Sequence, residues 1–275
     1  MTPPSKPYAE VIGDPIAHSK SPIIHGHWLA ELGFEAEYRH CHVETAGLAA
    51  YFAERTADPD WRGCNVTIPH KLAVFDHIAD PGGVRTTIGA ANTVFRGEDG
   101  AFLCTNTDAA GFYAPIAELD LAGAPVVVVG AGGAARAVLF ALSRIGVGPV
   151  TILNRNVLKA AALLSSFELK GQALALHGKL PPAALLVNAS ALGMTGHPPL
   201  DLDLSVLPDD AVVYDVVYAP LETPLLAAAR ARNLETVDGL DMLIGQAALA
   251  FELFFGVAPP RDEASDLQLR ALLTA

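Results

Sequence analysis

The stretch Val126–Leu139 reads VVVVGAGGAARAVL, and it decides the fold. Four β-branched residues run into a glycine turn, and the turn runs into a helical pattern. Gly130, Gly132 and Ala135 satisfy the spacing G-x-G-x-x-[G/A] directly after a strand and directly before a helix. In that spacing the first glycine permits a tight turn and the second lets the backbone approach a pyrophosphate. The small third residue allows close packing of helix on strand. The helix start then offers backbone N–H groups and partial positive charge to phosphates. A dinucleotide-binding unit is therefore expected, opening nearly halfway along a chain of 275 residues.

The next strand, VTIL, selects the dinucleotide. An NAD site usually ends this strand with Asp or Glu, which accepts hydrogen bonds from the ribose 2′-hydroxyl. Here Asn154, Arg155 and Asn156 follow, with Lys159 a turn later. A carboxylate would repel a 2′-phosphate, whereas a guanidinium binds it bidentately. The expected cofactor is NADP(H).

Working outward, short strand-like runs alternate with helical patterns, the rhythm of an α/β protein with parallel strands. The strands are expected at Ala9–Gly13, Glu37–Val43, Gly63–Val66, Thr93–Arg96, Val126–Gly130, Val150–Leu153, Leu185–Asn188 and Val212–Asp215. A helix is expected over Pro22–Leu32, opened by Ser21-Pro22 and closed by Gly33 at its C′ position. A broad apolar stripe from Leu240 through Leu243, Ile244, Ala247, Phe251, Phe254 and Phe255 forms a last long helix, which Gly256 stops. Breaks near Asn106–Ala110 and around Asp238 are expected to divide the chain into two domains with a cleft between them. If the last helices return to the first domain, residues 1–106 with 239–275 are expected to form a discontinuous substrate-binding α/β domain, with residues 107–238 as a Rossmann-like NADP-binding domain.

Bulk composition narrows the partners. Hydrophobic residues make up 51% and charged residues 17%, which marks a packed globular protein. Net charge is −12 and no Lys/Arg cluster is present, so nucleic acid is not an expected partner. Cys41, Cys64 and Cys104 are odd in number and lack metal-type spacing; free thiols in a reducing compartment are expected, and no metal. The opening MTPPSKPYAEVIG has no apolar leader segment, and Arg136 and Glu252 interrupt the most apolar helical stretches. A cytoplasmic protein with no membrane partner is expected.

The first hundred residues carry a set of polar groups. Ser19 and Ser21 flank a helix start, where hydroxyls and N–H groups can hold a carboxylate. An ordinary N-cap accounts for Ser21 but leaves Ser19 unexplained. Asn65, Thr67 and Lys71 follow a short strand across a proline turn, at a carboxyl end of the sheet where ligands of α/β folds usually sit. Asn92 leads a strand, and Asn106-Thr107-Asp108 lies on the connection to the nucleotide unit. Taken singly, Lys71 reads as a surface lysine and Asp108 as a helix N-cap.

Together these segments make the chain resemble the shikimate dehydrogenases from Ile12 to Phe255. The segments run in order: SKS at Ser19–Ser21, NVT-x-P-x-K from Asn65 to Lys71, ANT at Ala91–Thr93, NTD at Asn106–Asp108, GAGGA at Gly130–Ala134 and NR at Asn154–Arg155. NAS at Asn188–Ser190, GM at Gly193–Met194, Y-x-P-x-x-T-P-L from Tyr218 to Leu225, and DGL-x-ML with Gln246 complete the series.

The resemblance implies reduction of 3-dehydroshikimate to shikimate with NADPH. It implies that Ser19 and Ser21 grip the substrate carboxylate and that Asn65, Thr67, Asn92, Asp108 and Gln246 hold its ring oxygens. Lys71 and Asp108 would form the catalytic pair. Tyr218 would border the substrate pocket and Met242 the nicotinamide. Gly130, Ala131, Gly132, Gly133, Ala134, Asn154, Arg155 and Lys159 would bind the cofactor. Three places depart from the family pattern. Asn156 and Lys159 stand where Thr and Arg are commoner, Asp241 where glycine is usual, and Cys104-Thr105 where a glycine-containing pair is usual. Two alternatives are weighed: a quinate/shikimate dehydrogenase with relaxed cofactor use, which Arg155 argues against, and a catalytically silent NADP(H)-binding relative, which Lys71 and Asp108 argue against. A monomer or homodimer is expected.

Overall fold

A computed structural model of the chain describes residues 6–274; residues 1–5, part of the stretch read as lacking a leader, and residue 275 lie outside the described residues. The chain divides into two compact units, Met1–Thr107 with Gln246–Ala275, and Asp108–Gly245.

The first unit contains β1 (Tyr8–Gly13), α1 (Ser21–Glu31), β2 (Glu37–His42), α2 (Leu48–Thr56), β3 (Trp61–Val66), α3 (Val84–Thr87), β4 (Thr93–Arg96) and β5 (Phe102–Thr105). Its sheet has the order β2-β1-β3-β4-β5. β1 runs parallel to β2 and β3, but β4 is antiparallel to both β3 and β5, contrary to an all-parallel expectation. β4 and β5 are joined by a hairpin, in which the Gly97 N–H donates to the Ala101 carbonyl at 2.8 Å. Its product, β5, was not anticipated, because four residues of FLCT carry too little pattern to announce a strand.

The second unit contains α4 (Asp108–Tyr113), β6 (Val126–Val129), α5 (Gly133–Ile145), β7 (Val150–Asn154), α6 (Val157–Ser166), β8 (Gly171–Ala175), β9 (Leu185–Asn188), β10 (Val212–Asp215), α7 (Pro224–Ala231) and β11 (Glu235–Val237). Two further helices, α8 (Gly239–Phe255) and α9 (Glu263–Thr274), complete the chain. The sheet order is β11-β10-β9-β6-β7-β8, and all its pairs are parallel. That is the doubly wound arrangement, with its switch point between β6 and β9. Val126 and Val128 feed one hydrophobic cluster and Val127 and Val129 the other, so β6 is sealed on both faces. A strand buried that way has no polar alternation to show, which accounts for its continuous run of valines. The unexpected strands β8 and β11 are the two edges of this sheet, short and partly exposed.

α8 begins at Gly239 and ends as its sequence requires. Gly256 has φ +72° and donates its N–H to the Glu252 carbonyl at 2.8 Å. The helix crosses the unit boundary between Gly245 and Gln246, beyond Asp238, because Met242 joins the core of the second unit. Among the described residues no helix is long and apolar enough to cross a membrane.

In the first unit a row of small residues makes room for aromatic rings. Ala9 pairs with Tyr38 on one side and with Gly63 on the other. A Cβ on Gly63 would lie 2.4 Å from the Phe254 ring of α8. Above this row the Tyr38 ring stacks on His25 at 3.9 Å between centroids, and Trp28, Phe251 and Phe254 surround the pair. His25 is fully buried with neither ring nitrogen hydrogen-bonded, and burial lowers its pKa to about 3. The imidazole is thus neutral at physiological pH and packs as an aromatic ring. Glu10, at 2% exposure, is the sheet's buried charge. It accepts from Arg55 Nε at 2.9 Å, Tyr51 Oη at 2.9 Å and Arg39 Nε at 3.3 Å, so its charge is paired and its lone pairs are occupied.

Gly63→Ala forces a methyl group against the Phe254 ring and the Val94 carbonyl. It is expected to destabilise the protein by about 1–3 kcal/mol, read as a lower urea midpoint. An unchanged midpoint would mean that α8 shifts without strain.

Candidate functional site

The topology of the first sheet brings the predicted polar residues to one edge. β1 and β3 are parallel and end together, so the segments after Gly13 and Val66 emerge side by side. Ser19 and Ser21 follow the first, and Thr67 and Lys71 the second. β4 is antiparallel to β3 and therefore starts at that edge, which places Asn92 there. β5 is antiparallel to β4 and ends there, which delivers Asn106 and Thr107. Backbone bonds lock these segments: Val66 N–H to the Asn92 carbonyl at 2.7 Å, Asn92 N–H to Thr105 at 3.2 Å, Ala91 N–H to Lys71 at 2.8 Å. Gly13 is needed for this crowding, since a Cβ there would sit 2.7 Å from the Thr67 methyl.

At the edge the side chains form one hydrogen-bonded set. Tyr38 Oη donates to Asn65 Oδ1 at 2.6 Å, and Asn65 Nδ2 donates to Thr93 Oγ1 at 3.1 Å. Thr93 Oγ1 donates to Asn92 Oδ1 at 3.1 Å. Asn92 Nδ2 donates to Thr107 Oγ1 at 2.8 Å and to Gln246 Oε1 at 3.2 Å. Thr107 Oγ1 donates to Gln246 Oε1 at 3.3 Å, and its N–H donates to Asn92 Oδ1 at 2.7 Å. Asn65, Asn92 and Gln246 were anticipated from the sequence; Tyr38, Thr93 and Thr107 were not. The two threonines stand inside the ANT and NTD segments and were legible as neighbours of Asn92 and Asp108. Tyr38 has no local signal, because it reaches Asn65 across β1 from a strand two positions away in the sheet.

Capping explains neither serine. The N-cap of α1 is Lys20, and no side chain caps the helix there. Ser21 is the first helical residue and is buried. Ser19 Oγ accepts from the Ser21 N–H and donates to Ser21 Oγ, both at 3.3 Å. Lys20, lying between them, sends its ammonium to the Leu273 carbonyl at the end of α9. His40 Nε2 bonds the Ser19 carbonyl at 2.9 Å and fixes the loop from the other side.

In the second unit the predicted cofactor residues lie at the carboxyl ends of β6 and β7. Gly130 has φ +108°, and a Cβ there would lie 2.8 Å from the Ala189 carbonyl, so the turn admits only glycine. Gly132 is the N-cap of α5 with extended backbone, and a Cβ there would meet no heavy atom within 4 Å. No side chain caps α5 and its first turn has no acid, so its N–H groups are suited to an anion. Ala135 is fully buried, as the close helix packing requires. Gly130 N–H donates to the Leu153 carbonyl at 2.9 Å, which holds the glycine turn beside the start of Asn154–Arg155. Asn154 Nδ2 donates to the Asn156 carbonyl at 2.9 Å, and Asn156 Oδ1 caps α6 by accepting from the Lys159 N–H at 3.0 Å. Arg155 and Lys159 are both exposed beside that cap, and no acid ends β7. This donor set fits a phosphorylated ribose. Asp108, Tyr218 and Met242 also belong to this unit, whereas Lys71 belongs to the first.

Other motif residues brace the loops around the glycine turn. Asn188 Oδ1 accepts from the Ser190 hydroxyl at 2.7 Å, and Asn188 Nδ2 donates to Asp215 Oδ1 at 2.9 Å. Asp215 Oδ2 accepts from Thr223 Oγ1 at 2.7 Å, while Oδ1 also takes the Val217 N–H. Asp215 is fully buried, and burial raises its pKa despite these bonds. Tyr218 lies on the braced loop, and burial likewise raises its pKa. The carboxylate of Asp241, left without an account by the sequence, is one of two that lift the pKa of buried Tyr214, after burial itself.

Comparison with known proteins agrees with this geometry. Residues 11–94 match the family model of the shikimate dehydrogenase substrate binding domain, 114–181 that of shikimate / quinate 5-dehydrogenase, and 239–264 that of the shikimate 5'-dehydrogenase C-terminal domain. The shikimate dehydrogenase (NADP(+)) of Sphingopyxis alaskensis is 68% identical over 273 residues, covering 99% of each chain. Shikimate 5-dehydrogenase from Thermus thermophilus, solved in complex with NADP(H) and shikimate, superposes with a TM-score of 0.84 at 36% identity, covering 97% of this chain and 99% of that one. The ligand-free 5-ketofructose reductase of Gluconobacter sp. strain CHM43 reaches a TM-score of 0.86 at 31% identity, covering 98% of each chain. Identity of 68% along 99% of the chain shows the family: the chain belongs to the shikimate dehydrogenases.

Proposed function

We propose that this chain reduces 3-dehydroshikimate to shikimate, reversibly, with NADPH as the hydride source and Lys71 and Asp108 acting at the ketone oxygen. The observation that carries the reading is the set of buried amides and hydroxyls at one sheet edge, beside the serine pair. Neutral groups of that kind suit a ring bearing several hydroxyls, because each can donate to or accept from an OH without burying a charge. Ser19 and Ser21 take the carboxylate, and Asn65, Thr67, Asn92, Asp108 and Gln246 take the ring oxygens. A site built that way penalises an analogue lacking one hydroxyl, since its partner is then left buried and unpaired.

NADPH, when bound, would supply a hydride to the ketone carbon, with negative charge developing on the ketone oxygen. Lys71 stabilises that developing charge and donates the proton which completes the alcohol, an effect worth roughly 10²–10⁴-fold in rate. Asp108 balances the ammonium. It follows Thr107 directly in the chain. Gly130 to Ala134 with the start of α5 would hold the pyrophosphate, Asn154, Arg155 and Lys159 the 2′-phosphate, and Met242 would border the nicotinamide.

The deciding assay is oxidation of shikimate and of quinate, each with NADP⁺ and with NAD⁺. Turnover of shikimate with NADP⁺ is expected to dominate; comparable turnover of quinate with NAD⁺ would favour the broader enzyme, and none at all the silent relative. Lys71→Ala is expected to lower kcat by about 10²–10⁴-fold with a much smaller change in KM. Near-normal turnover would remove Lys71 from the chemistry. Arg155→Ala is expected to raise KM for NADP⁺ about tenfold and leave that for NAD⁺ unchanged. Equal effects on both cofactors would contradict a 2′-phosphate contact. Gly132→Ala is expected to fold with an unaltered melting temperature yet bind NADP⁺ weakly, since its methyl group occupies only the space assigned to the pyrophosphate. Full affinity in that variant would place the phosphates elsewhere.

A further inference from the structure

The last helix of the chain is lightly attached. α9 buries Leu269 and Leu273 almost completely, while Leu267 and Leu272 stand exposed at 62% and 47%. Its start is capped locally, since Asp262 Oδ1 accepts from the Ala264 and Ser265 N–H groups, both at 3.0 Å. Polar ties then join it to α1 at both ends. Near its start, Ser265 Oγ donates to Glu31 Oε2 at 2.7 Å, and His27 Nε2 lies 3.2 Å from the same oxygen. At its end, the Leu273 carbonyl takes the Lys20 ammonium. Ser265, Leu269 and Leu273 recur at four-residue steps and so share one face of α9. The two helices therefore run antiparallel, with the end of α9 against the start of α1.

The last carbonyls of a helix have no partner within it, and that end carries partial negative charge. Lys20 answers both needs from another helix. Its side chain is available for this because it has no part in capping α1. Lys20 is also the residue between Ser19 and Ser21, the pair assigned to the substrate carboxylate. The course of that loop does not depend on it: the Ser19 N–H donates to the Ile16 carbonyl at 3.0 Å, and His40 holds the Ser19 carbonyl. What Lys20 adds is restraint on the peptide between two hydroxyls whose own bonds are long, at 3.3 Å.

We propose that α9 is a splint for the carboxylate end of the substrate site, tied to it by Lys20, so that substrate binding and the docking of α9 strengthen each other. Lys20 is a positioning residue in this scheme. With α9 docked, the serine loop is ordered before the carboxylate arrives. With α9 released, the substrate must order that loop itself and binds more weakly. Linkage makes the effect reciprocal, so bound substrate holds α9 down by the same factor.

The coupling takes its substrate from the reading above, whereas the tie itself does not depend on it. Lys20→Met keeps the aliphatic stem and removes the ammonium; Lys20→Arg restores a cation able to reach the carbonyl. Leu269→Ala loosens α9 without touching the serine loop. In the full-length protein without ligand, hydrogen–deuterium exchange of the α9 amides should be about tenfold faster in Lys20→Met and close to wild type in Lys20→Arg. Unchanged exchange in Lys20→Met would overturn the tie whatever the enzyme does. Saturating shikimate should slow exchange of the same amides about fivefold to tenfold in the wild type and much less in Lys20→Met. In steady state, Lys20→Met and Leu269→Ala should each raise KM for shikimate by about that factor, with kcat and KM for NADP⁺ changed much less, and Lys20→Arg should recover most of the loss. No protection of wild-type α9 by shikimate would overturn the coupling. So would a wild-type KM in either variant, or a lower one in Lys20→Met. A wild-type protein that neither binds nor oxidises shikimate would instead sink the substrate reading and leave the ligand-free exchange to judge the tie.

Discussion

A buried amide has two different ends, and an interior that cannot supply water must decide between them. That constraint organises the sheet edge of the first unit. Asn65 and Asn92 are almost wholly enclosed, at 6% and 3% exposure, and Gln246 is nearly as deep at 7%. Groups so placed carry a penalty of about 1–3 kcal/mol for every donor or acceptor left without a partner. The chain meets this by interleaving amides with hydroxyls, which can serve as donor and acceptor at once. The arrangement is held in place because its members bond one another.

The second unit solves a different problem with backbone instead of side chains. Its ligand is expected to be strongly anionic, and the parallel sheet converges helix starts and peptide N–H groups on one place. The loops at that place are held by side chains that bond one another. Asn188, Ser190, Asp215 and Thr223 form a closed set of bonds between the ends of β9 and β10. Gly130 packs beneath them with no room for a methyl group. Several motifs of the family are thus scaffolding, and their short polar side chains suit the tight loops they brace.

Much of this was legible in the sequence because the signals are local. VVVVGAGGAARAVL announces strand, turn and helix within fourteen residues, and Gly130 has a conformation that only glycine adopts readily. Gly256 and Gly33 mark helix ends for the same reason. What was hidden is whatever depends on distant pairing. The antiparallel turn of β4 and β5 follows from a short hairpin whose strands are four residues each. Edge strands β8 and β11 bury little and so show little pattern. Tyr38 reads as one more aromatic residue on a strand, and its partner lies 27 positions away across an intervening strand. Ser21 invites a capping interpretation that the backbone refuses, because the helix begins one residue earlier than the hydroxyl needs.

Asn156 shows how a protein can leave one property open to change while protecting another. Its side chain closes the first turn of α6, a duty that Asn, Asp, Ser and Thr all perform at similar strength. It also stands next to the residues assigned to the ribose phosphate. Neutral drift among those four residue types therefore leaves the helix intact while altering local charge by a full unit when aspartate appears. A change of charge beside the residues assigned to the 2′-phosphate can therefore be made at this position without a toll on the helix.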